Sequence, residues 1–148
     1  MIDLKAINED NFLDAFQLKL AEGQENYVSN PIRSLAQAYV YRNQCQPLGI
    51  YDGEEMMGYV MVIYDYDVPE YDIWHMMIDA SKQGAGYGSA ALRQILNYIK
   101  TKPFGDANRV TLTCNKDNQI ALKLYHKAGF VETGVEDEDE IELSQMLV

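Results

Sequence analysis

The sequence predicts one domain of the mixed α/β class, with about seven strands and about four helices. Strand-like and helix-like stretches follow one another in the order β-α-α-β-β-β-α-β-α-β-β. A strand–loop–helix–strand unit in the middle of this order is typical of a mixed α/β fold. The 148 residues carry no internal repeat, low-complexity stretch or interdomain linker, so we expect a single domain over residues 1–148.

The first half of the chain predicts a strand, two helices and a β-hairpin. "IDLKAI" alternates like a short strand, and "EDNFLDAFQLKL" places four apolar residues on one helical face: Phe12, Leu13, Phe16 and Leu20. Asn30 followed by Pro31 is a good N-cap and first-turn pair for a second helix that runs to about Tyr41. In "QPLGIYDGEEMMGYVMVIYDYD" the pair Asp52-Gly53 is a turn signal between two strands.

The second half predicts a strand, a glycine loop and helix, a strand and helix, and a closing hairpin. "EYDIWHMMID" is strand-like and leads into the glycines. The next helix has an apolar stripe, with Thr-Lys-Pro ending it: Ala90, Ala91, Ile95 and Ile99, flanked by Leu92, Leu96 and Tyr98. "ANRVTLTC" is a strand, "DNQIALKLYHKAGF" is a helix that ends at Gly129, and "FVETGVEDEDEIELSQML" is a hairpin. We expect its acidic run from Glu136 to Glu142 to be a solvated turn.

Composition excludes several classes of function. A formal net charge of -11 argues against binding nucleic acid by phosphate neutralisation and favours a cationic partner. Cys45, Cys114, His75 and His126 do not form a metal-binding set, so we expect no metal. The N-terminus has no secretory pattern, and no apolar run approaches the roughly 20 residues that span a bilayer. We therefore expect a cytoplasmic protein that does not bind a membrane.

Gly84, Gly86 and Gly88 stand between a predicted strand and the start of a helix. Free backbone N–H groups and the positive end of the helix dipole meet at such a position, which makes it suited to an anion. A tight turn without a ligand is the alternative. The spacing lacks the G-x-x-x-x-G-K-[ST] pattern of nucleoside triphosphatases and the G-x-G-x-x-G pattern of dinucleotide-binding folds. A different phosphate-bearing cofactor remains the favoured ligand.

Two motifs of this chain resemble those of the GNAT superfamily of N-acetyltransferases. Gln83, Gly86 and Gly88 fit its Q/R-x-x-G-x-G/A motif. "NQIALKLYHKAGF" fits its N-x-x-A-x-x-L-Y-x-x-x-G-F pattern through six residues: Asn118, Ala121, Leu124, Tyr125, Gly129 and Phe130. The predicted element order also matches, so the resemblance covers nearly the whole chain. Within the superfamily, "IW…MID…QGAGYG" and the acidic tail look most like bacterial spermine/spermidine (diamine) acetyltransferases.

The resemblance implies acetyl-CoA as cosubstrate and a mostly antiparallel sheet that splays at its central parallel strands. It places the pyrophosphate on backbone N–H groups of the glycine loop, residues Gln83, Gly84, Ala85, Gly86, Tyr87, Gly88 and Ser89. The pantetheine arm would follow the strand residues Met76, Met77 and Ile78, with an N–H near Met77 facing the thioester carbonyl. Asn118 would bind the pantetheine, with a plain helix-start role as the alternative, and Lys123 would bind a phosphate.

Tyr125 is the residue that the resemblance implies as general acid. Aminolysis of a thioester expels a thiolate, which a phenol could protonate. The alternative is a core tyrosine, because Tyr125 follows Ala121 by four residues. A carboxylate acting through water is expected to take the proton of the amine, but spacing names no single acid. Cys114 is the only plausible covalent carrier, and we favour direct attack in a ternary complex over it.

The acceptor predicted from the resemblance and the acidic charge is a polyamine, spermine or spermidine. Carboxylates and aromatic faces suit such a cation, and the candidates lie in two loops and one strand: Glu22, Glu25 and Tyr27; Asp65, Asp67, Glu70 and Asp72 in a turn; and Trp74. Solvated turn charges and core aromatics are the alternative, and we expect His75 to be packed or hydrogen-bonded rather than a base. Another amine acceptor and a silent acyl-CoA-binding module remain rival functions. A homodimer is expected because small members of the superfamily often form one.

Overall fold

A seven-stranded mixed sheet forms the centre of the protein. The structure is a computed structural model that describes residues 1–24 and 29–147. The strands lie in the order β1-β2-β3-β4-β5-β7-β6. Their bounds are β1 Ile2–Ala6, β2 Cys45–Asp52, β3 Glu55–Asp65, β4 Glu70–Ile78, β5 Arg109–Asn115, β6 Val131–Asp137 and β7 Glu140–Met146. The order of strands and helices along the chain is the one that the sequence predicts.

Four helices flank the sheet. They are α1 Phe12–Gln17, α2 Pro31–Val40, α3 Tyr87–Lys100 and α4 Gln119–Lys127. The predicted cap of α2 is confirmed, because the Asn30 side chain accepts a hydrogen bond from the Arg33 N–H at 2.8 Å and Pro31 opens the helix. Within the described residues, no helix combines the length and the apolar character needed to cross a membrane.

The sheet is open between β4 and β5. Among the residues that the structure describes, these two strands are the only parallel neighbours, and they pair at two positions, Tyr71 with Val110 and Asp72 with Thr111. From Ile73 to Ile78, β4 pairs with β3 on one side and has no strand partner on the other. The splayed sheet predicted from the resemblance is therefore confirmed. An unpaired strand edge offers N–H and C=O groups to an extended ligand.

Two apolar clusters lie on opposite faces of the sheet. The larger contains residues of α3 and α4 together with Ile73, Val110 and Leu112. The smaller lies under α2 and includes Tyr59, Met61 and Met77. β4 contributes to both clusters, and a bulge at Trp74 shifts its alternation, because His75 pairs with Met61 and Ile73 pairs with Val62. Ile73 therefore lies in the larger cluster and Met77 in the smaller one, although both have odd numbers.

The first helix differs from its prediction. The expected helix over "EDNFLDAFQLKL" ends at Gln17, since Leu18 adopts an extended backbone with ψ of 137°. Its predicted apolar face is largely exposed, with Leu13 at 59% and Phe16 at 37% of their full accessibility. Leu18 and Leu20 still pack on the smaller cluster, but from an extended segment that follows the helix. The prediction of a helix is therefore confirmed as far as Gln17, and the prediction of its length and of its buried face is wrong.

Candidate functional site

The glycine loop joins the end of β4 to the N-terminus of α3. A short 3-10 turn, Ala80–Lys82, precedes it, and Gly86 is the N-cap residue of α3. Gly84 and Gly86 both have φ of 83°, a left-handed conformation that residues with a side chain rarely adopt. Because the first intrahelical bond runs from the Ala90 N–H to the Gly86 carbonyl, the N–H groups just before Ala90 have no partner within the helix. The loop therefore has the backbone of an anion site at the start of a 14-residue helix.

Side chains on both sides of the loop hold it in this shape. The Gln83 carboxamide donates to the Gln24 side-chain oxygen and to the Ile78 carbonyl, each at 2.9 Å. One Asp79 carboxylate oxygen accepts from the Lys19 N–H at 2.7 Å, and the other accepts from the Ser81 N–H at 3.1 Å. These bonds tie the loop to the segment that follows α1, which the sequence motifs do not reveal.

A cleft of about 240 Å³ opens between β4, the glycine loop and α4. The cleft is lined by most of the predicted cofactor residues and by the proposed acid, Tyr125. The cofactor residues that line it are Met76, Met77, Ile78, Gln83, Gly84, Gly86, Tyr87, Gly88, Ser89 and Asn118. Ala85 and Lys123 do not line it, and both are exposed. Lys123 points away because the cleft-facing residues of α4 recur at Asn118, Ala121 and Tyr125, a spacing that leaves position 123 on the outer face.

The cleft also contains residues that the sequence motifs did not identify as ligand contacts: Gln24, Lys82, Ile120, Ala121 and Leu124. Helical spacing from Asn118 and Tyr125 could have indicated the three on α4. Gln24 belongs to a segment distant in sequence, and no local pattern marks it. The Lys82 ammonium pairs with a Glu55 oxygen at 3.1 Å, and this hydrogen bond is the main cause of its raised pKa.

The residues of the cleft fit acetyl-CoA. Free N–H groups at the start of α3 suit a pyrophosphate, and the glycines there leave the backbone accessible. The unpaired edge of β4 from Met76 to Ile78 suits the amides of an extended pantetheine arm. The lining is apolar beside that edge, with Met76, Ile78 and Leu124 available to the methylenes of the arm.

Tyr125 lies on α4 at the inner wall of the cleft. Its ring packs edge-on against Phe130, with 6.0 Å between the ring centroids, so the ring has a fixed place although it is not a fully buried core residue. Burial raises the pKa of Tyr125, and the nearby Cys114 thiol raises it further. A phenol in this state keeps its proton at neutral pH and can donate it, as a general acid must.

Asn118 is at once the cap of α4 and part of the cleft wall. Its side chain accepts a hydrogen bond from the Ala121 N–H at 3.3 Å and so caps α4, while the residue also lines the cleft. Cys114, the alternative covalent carrier, is buried at the end of β5, and burial raises its pKa to about 11. A thiol that keeps its proton at neutral pH is a poor nucleophile, which favours direct attack by the amine.

The structure separates the predicted acceptor residues. Asp65 and Asp67 lie at the hairpin between β3 and β4, where an Asp65 oxygen accepts from the Asp67 N–H at 2.9 Å. This hairpin precedes Met76 by about ten residues, so roughly 20 Å or more of strand separates it from the cleft. Glu22 is exposed in the loop near Gln24, and Glu25 and Tyr27 lie outside the described residues.

Two further acids and the tryptophan lie in β4 itself. Glu70 and Asp72 belong to β4, which confirms the strand predicted from "EYDIWHMMID", and grouping them with the acids of the preceding turn is wrong. Trp74 occupies the bulge and stacks on His75, with 4.8 Å between ring centroids and 22° between ring planes. It packs with the smaller cluster, on the face of the sheet opposite α3.

His75 is hydrogen-bonded, as the sequence predicts. Its Nδ1 lies 2.6 Å from the Ser34 hydroxyl, which lies 2.7 Å from the Tyr59 hydroxyl. All three residues are buried, so the chain of hydrogen bonds joins α2 to the sheet. Burial lowers the pKa of His75 to about 4, with a smaller effect from Arg33, and the ring is neutral at pH 7. It is therefore a structural residue.

The neutral state of His75 predicts a loss of stability in acid. The pKa of His75 is about 4 in the folded protein and about 6.5 in the unfolded chain, so the unfolded chain binds more protons in between. Stability should fall as the pH drops from 6.5 to 4, by at most about 3 kcal/mol. Asp72 acts in the opposite sense, because burial raises its pKa to about 6.

His75→Asn keeps a hydrogen-bonding atom near the Nδ1 position and removes this titration. Urea unfolding of both proteins from pH 7.5 to pH 4 measures the difference, in which the contribution of Asp72 cancels. We expect the wild type to lose stability relative to the variant as the pH falls. Parallel pH curves would show that His75 is not the cause.

Among residues 1–24 and 29–147, no three His, Cys, Asp or Glu side chains are grouped in a way that could hold a metal ion.

Comparison with known proteins agrees with this arrangement. The sequence matches the profile of the Acetyltransferase (GNAT) family over residues 10–130. A search of curated sequences finds no match. Among solved structures, a spermidine N-acetyltransferase from Vibrio cholerae in complex with CoA and spermine superposes with a TM-score of 0.81, at 19% identity, over 99% of this chain and 95% of that chain.

Two other solved structures show the breadth of the likeness. An acetyltransferase of the GNAT family from Streptococcus pneumoniae has a TM-score of 0.71 at 19% identity, over 100% of both chains. An acetyltransferase from Salmonella typhimurium that modifies the N-terminal serine of ribosomal protein L7/L12 has a TM-score of 0.75 at 16% identity, over 99% of this chain and 95% of that chain. Identities this low establish a shared fold and leave the acceptor open. The family profile, which spans most of the chain and includes both the glycine loop and α4, shows that the protein belongs to the GNAT family and is an acetyl-CoA-dependent N-acetyltransferase.

Proposed function

We propose that the protein transfers acetyl from acetyl-CoA to a primary amine of a polyamine, by direct attack in a ternary complex. The observation that carries the proposal is the continuous cleft in which free N–H groups of the glycine loop, the unpaired edge of β4 and Tyr125 meet. The N–H groups of Gly86 to Ser89 would hold the pyrophosphate, and the edge from Met76 to Ile78 would hold the arm. The thioester would then lie near Tyr125, where the opening between β4 and β5 gives an amine access.

Charge and similarity support the choice of acceptor. The chain has a formal net charge of -11, so its field attracts polycations over long distances. The Vibrio cholerae neighbour is a spermidine N-acetyltransferase crystallised with spermine. The Salmonella typhimurium neighbour acts on a protein N-terminus, which makes a peptide acceptor the competing candidate.

A comparison of kcat/KM values tests the acceptor. Spermidine and spermine are compared with n-butylamine, which has one amine and no second charge, and with a short peptide that begins with serine. We expect the polyamines to give the highest values, and their advantage should shrink as salt is raised, because screening weakens long-range attraction. A higher value for the peptide would overturn the polyamine proposal. CoA binding without thiol release from any acceptor would favour a silent acyl-CoA-binding module.

A further inference from the structure

We propose that Lys82 binds the pyrophosphate of CoA and that Glu55 holds the Lys82 ammonium in a competing ion pair when CoA is absent. This inference rests on the proposed function and adds to it a side chain that sets the affinity for the cofactor, which neither the motifs nor the comparisons identify. It follows from the charges of the cleft, from the place of Lys82 in the fold and from the exposure of the ion pair.

Lys82 supplies the positive charge of the cleft. Among the described residues that line the cleft, it is the only one with a charged side chain. Lys123, the lysine that the resemblance implies for a phosphate, is exposed and does not line the cleft. CoA carries several negative charges on its phosphates, and a protein with a formal net charge of -11 repels such a ligand at long range. A cation beside the glycine loop offsets this repulsion.

The backbone fixes Lys82 beside the glycine loop. Lys82 is the last residue of the 3-10 turn Ala80–Lys82, its N–H donates to the Asp79 carbonyl at 2.9 Å, and the glycine loop begins at the next residue. The Asp79 N–H donates to the Met57 carbonyl at 2.8 Å, which ties the turn to β3 two residues after Glu55. Lys82 and Glu55 are therefore held near each other, while the flexible lysine side chain can still change its partner.

The Lys82 ammonium interacts with Glu55 and, more weakly, with Tyr87, the first residue of α3. It lies 3.1 Å from a Glu55 oxygen. The hydrogen bond to Glu55 is the main cause of the raised pKa of Lys82, and the charge interaction with Tyr87 adds to it. The ammonium is therefore positive at neutral pH and lies within electrostatic range of the start of α3, where the N–H groups without a helical partner are.

The ion pair with Glu55 can be exchanged at little cost. The Glu55 side chain keeps 63% of its accessibility and the Lys82 side chain keeps 34%, so both groups contact water. An ion pair this exposed contributes little to stability, because water and salt screen it. A pyrophosphate on the N–H groups of the loop would offer Lys82 charge-assisted hydrogen bonds, and the Glu55 carboxylate would return to water. Glu55 thus opposes CoA binding, because it holds the ammonium and repels phosphate.

Lys82→Met tests the binding role and keeps the aliphatic part of the side chain. In a calorimetric titration with CoA, we expect a dissociation constant about tenfold higher than that of the wild type, because a charge-assisted hydrogen bond is lost. Lys82→Arg should keep most of the affinity. Lys123→Met removes the same charge from outside the cleft and should change the affinity by less than about twofold. Equal losses in Lys82→Met and Lys123→Met, or no loss in Lys82→Met, would overturn the inference.

Glu55→Gln tests the competing ion pair. Because it releases the ammonium, the dissociation constant for CoA should fall about twofold to fivefold. Glu54→Gln is the matched control, since Glu54 is the neighbouring exposed acid and its loss changes the net charge equally. In the background of Lys82→Met, the gain from Glu55→Gln should shrink to that of Glu54→Gln. An equal gain from both acids in the wild-type background, or a full gain without Lys82, would overturn the inference.

Dephospho-CoA identifies the group that Lys82 binds, because it lacks the 3′-phosphate and keeps the pyrophosphate. Lys82→Met should weaken the binding of CoA and of dephospho-CoA by the same factor. A loss confined to CoA would overturn the assignment to the pyrophosphate.

The titrations need no acceptor, so they separate this inference from the proposed function. A wild type that acetylates spermidine, with unchanged CoA affinity in Lys82→Met, would overturn the inference alone. The expected changes in affinity, in a protein that acetylates no amine, would support the inference and overturn the proposed function.

Discussion

Tyr125→Phe is expected to lower kcat for thiol release by about 100-fold or more, because general acid catalysis contributes about 10²- to 10⁴-fold. The substitution removes one hydroxyl from the wall of the cleft and leaves the ring on Phe130. CoA affinity should therefore change by less than about threefold, since the hydroxyl acts on the leaving group. Steady-state kinetics and calorimetric titration with CoA measure the two effects separately.

Tyr87→Phe is the matched control. Tyr87 lines the same cleft, but its hydroxyl lies 3.4 Å from an Asp52 oxygen. It is therefore not placed in the role proposed for Tyr125, which is to protonate the leaving CoA thiolate. We expect this variant to keep most of the wild-type kcat. Equal losses in both variants, or an unchanged kcat in Tyr125→Phe, would contradict the role of Tyr125 as the acid.

Gly86→Val is expected to weaken CoA binding by at least about tenfold, since a single charge-assisted hydrogen bond is worth about 1.5–3 kcal/mol. Gly86 has φ of 83°, which a β-branched residue avoids, so the N-cap of α3 must change conformation. A Cβ at this position meets no atom within 4 Å, and the effect therefore comes from the backbone rather than from a clash.

Gly53→Val separates backbone strain from loss of the anion site. Gly53 also has a positive φ, 63°, and open space around its Cβ, but it lies in the turn between β2 and β3. Both variants should lose some stability, of the order of 1–3 kcal/mol. Only Gly86→Val should lose CoA affinity in a titration at a temperature where both proteins are folded. A similar loss in Gly53→Val would contradict the assignment of the glycine loop.

Local chemistry explains why most of the fold could be predicted. Asn30 and Pro31 define a helix start, and Asp52 with Gly53 defines a tight turn, whatever the rest of the chain does. The α3 stripe of Ala91, Ile95 and Ile99 is buried as its helical period requires. α1 is the exception, because an apolar pattern does not tell how far a helix extends when the following residues can pack from an extended backbone.

The candidate site could be predicted only where it is built from contiguous motifs. The glycine loop and the Asn118–Tyr125 segment each bring several cleft residues together within a few positions. Contacts between segments that are distant along the chain have no signature in the sequence. Two examples are the hydrogen bond from Gln83 to Gln24 and the one from Thr111 to Asp72. The bulge at Trp74 adds a second obstacle, because it changes which residues of β4 share a face.

The acids before and within β4 show where reasoning from sequence distance fails. The stretch "EYDIWHMMID" predicts a strand that begins at Glu70, and β4 begins there, so Glu70 and Asp72 do not share the turn in which they were grouped with Asp65 and Asp67. Asp65 hydrogen-bonds within the hairpin, whereas Asp72 accepts a hydrogen bond from Thr111 where β4 and β5 separate. Acids that are close along the chain are therefore separated by the strand boundary.

The most direct test of the account measures acetyl transfer itself. Purified protein is incubated with acetyl-CoA and spermidine, thiol release is followed continuously, and the acetylated amine is quantified by mass spectrometry. We expect one acetylated spermidine molecule for each thiol released, and we expect no protein that carries an acetyl group on Cys114. Thiol release without an acetylated amine, or no release with any amine despite CoA binding, would contradict the assignment of this cleft to amine acetylation.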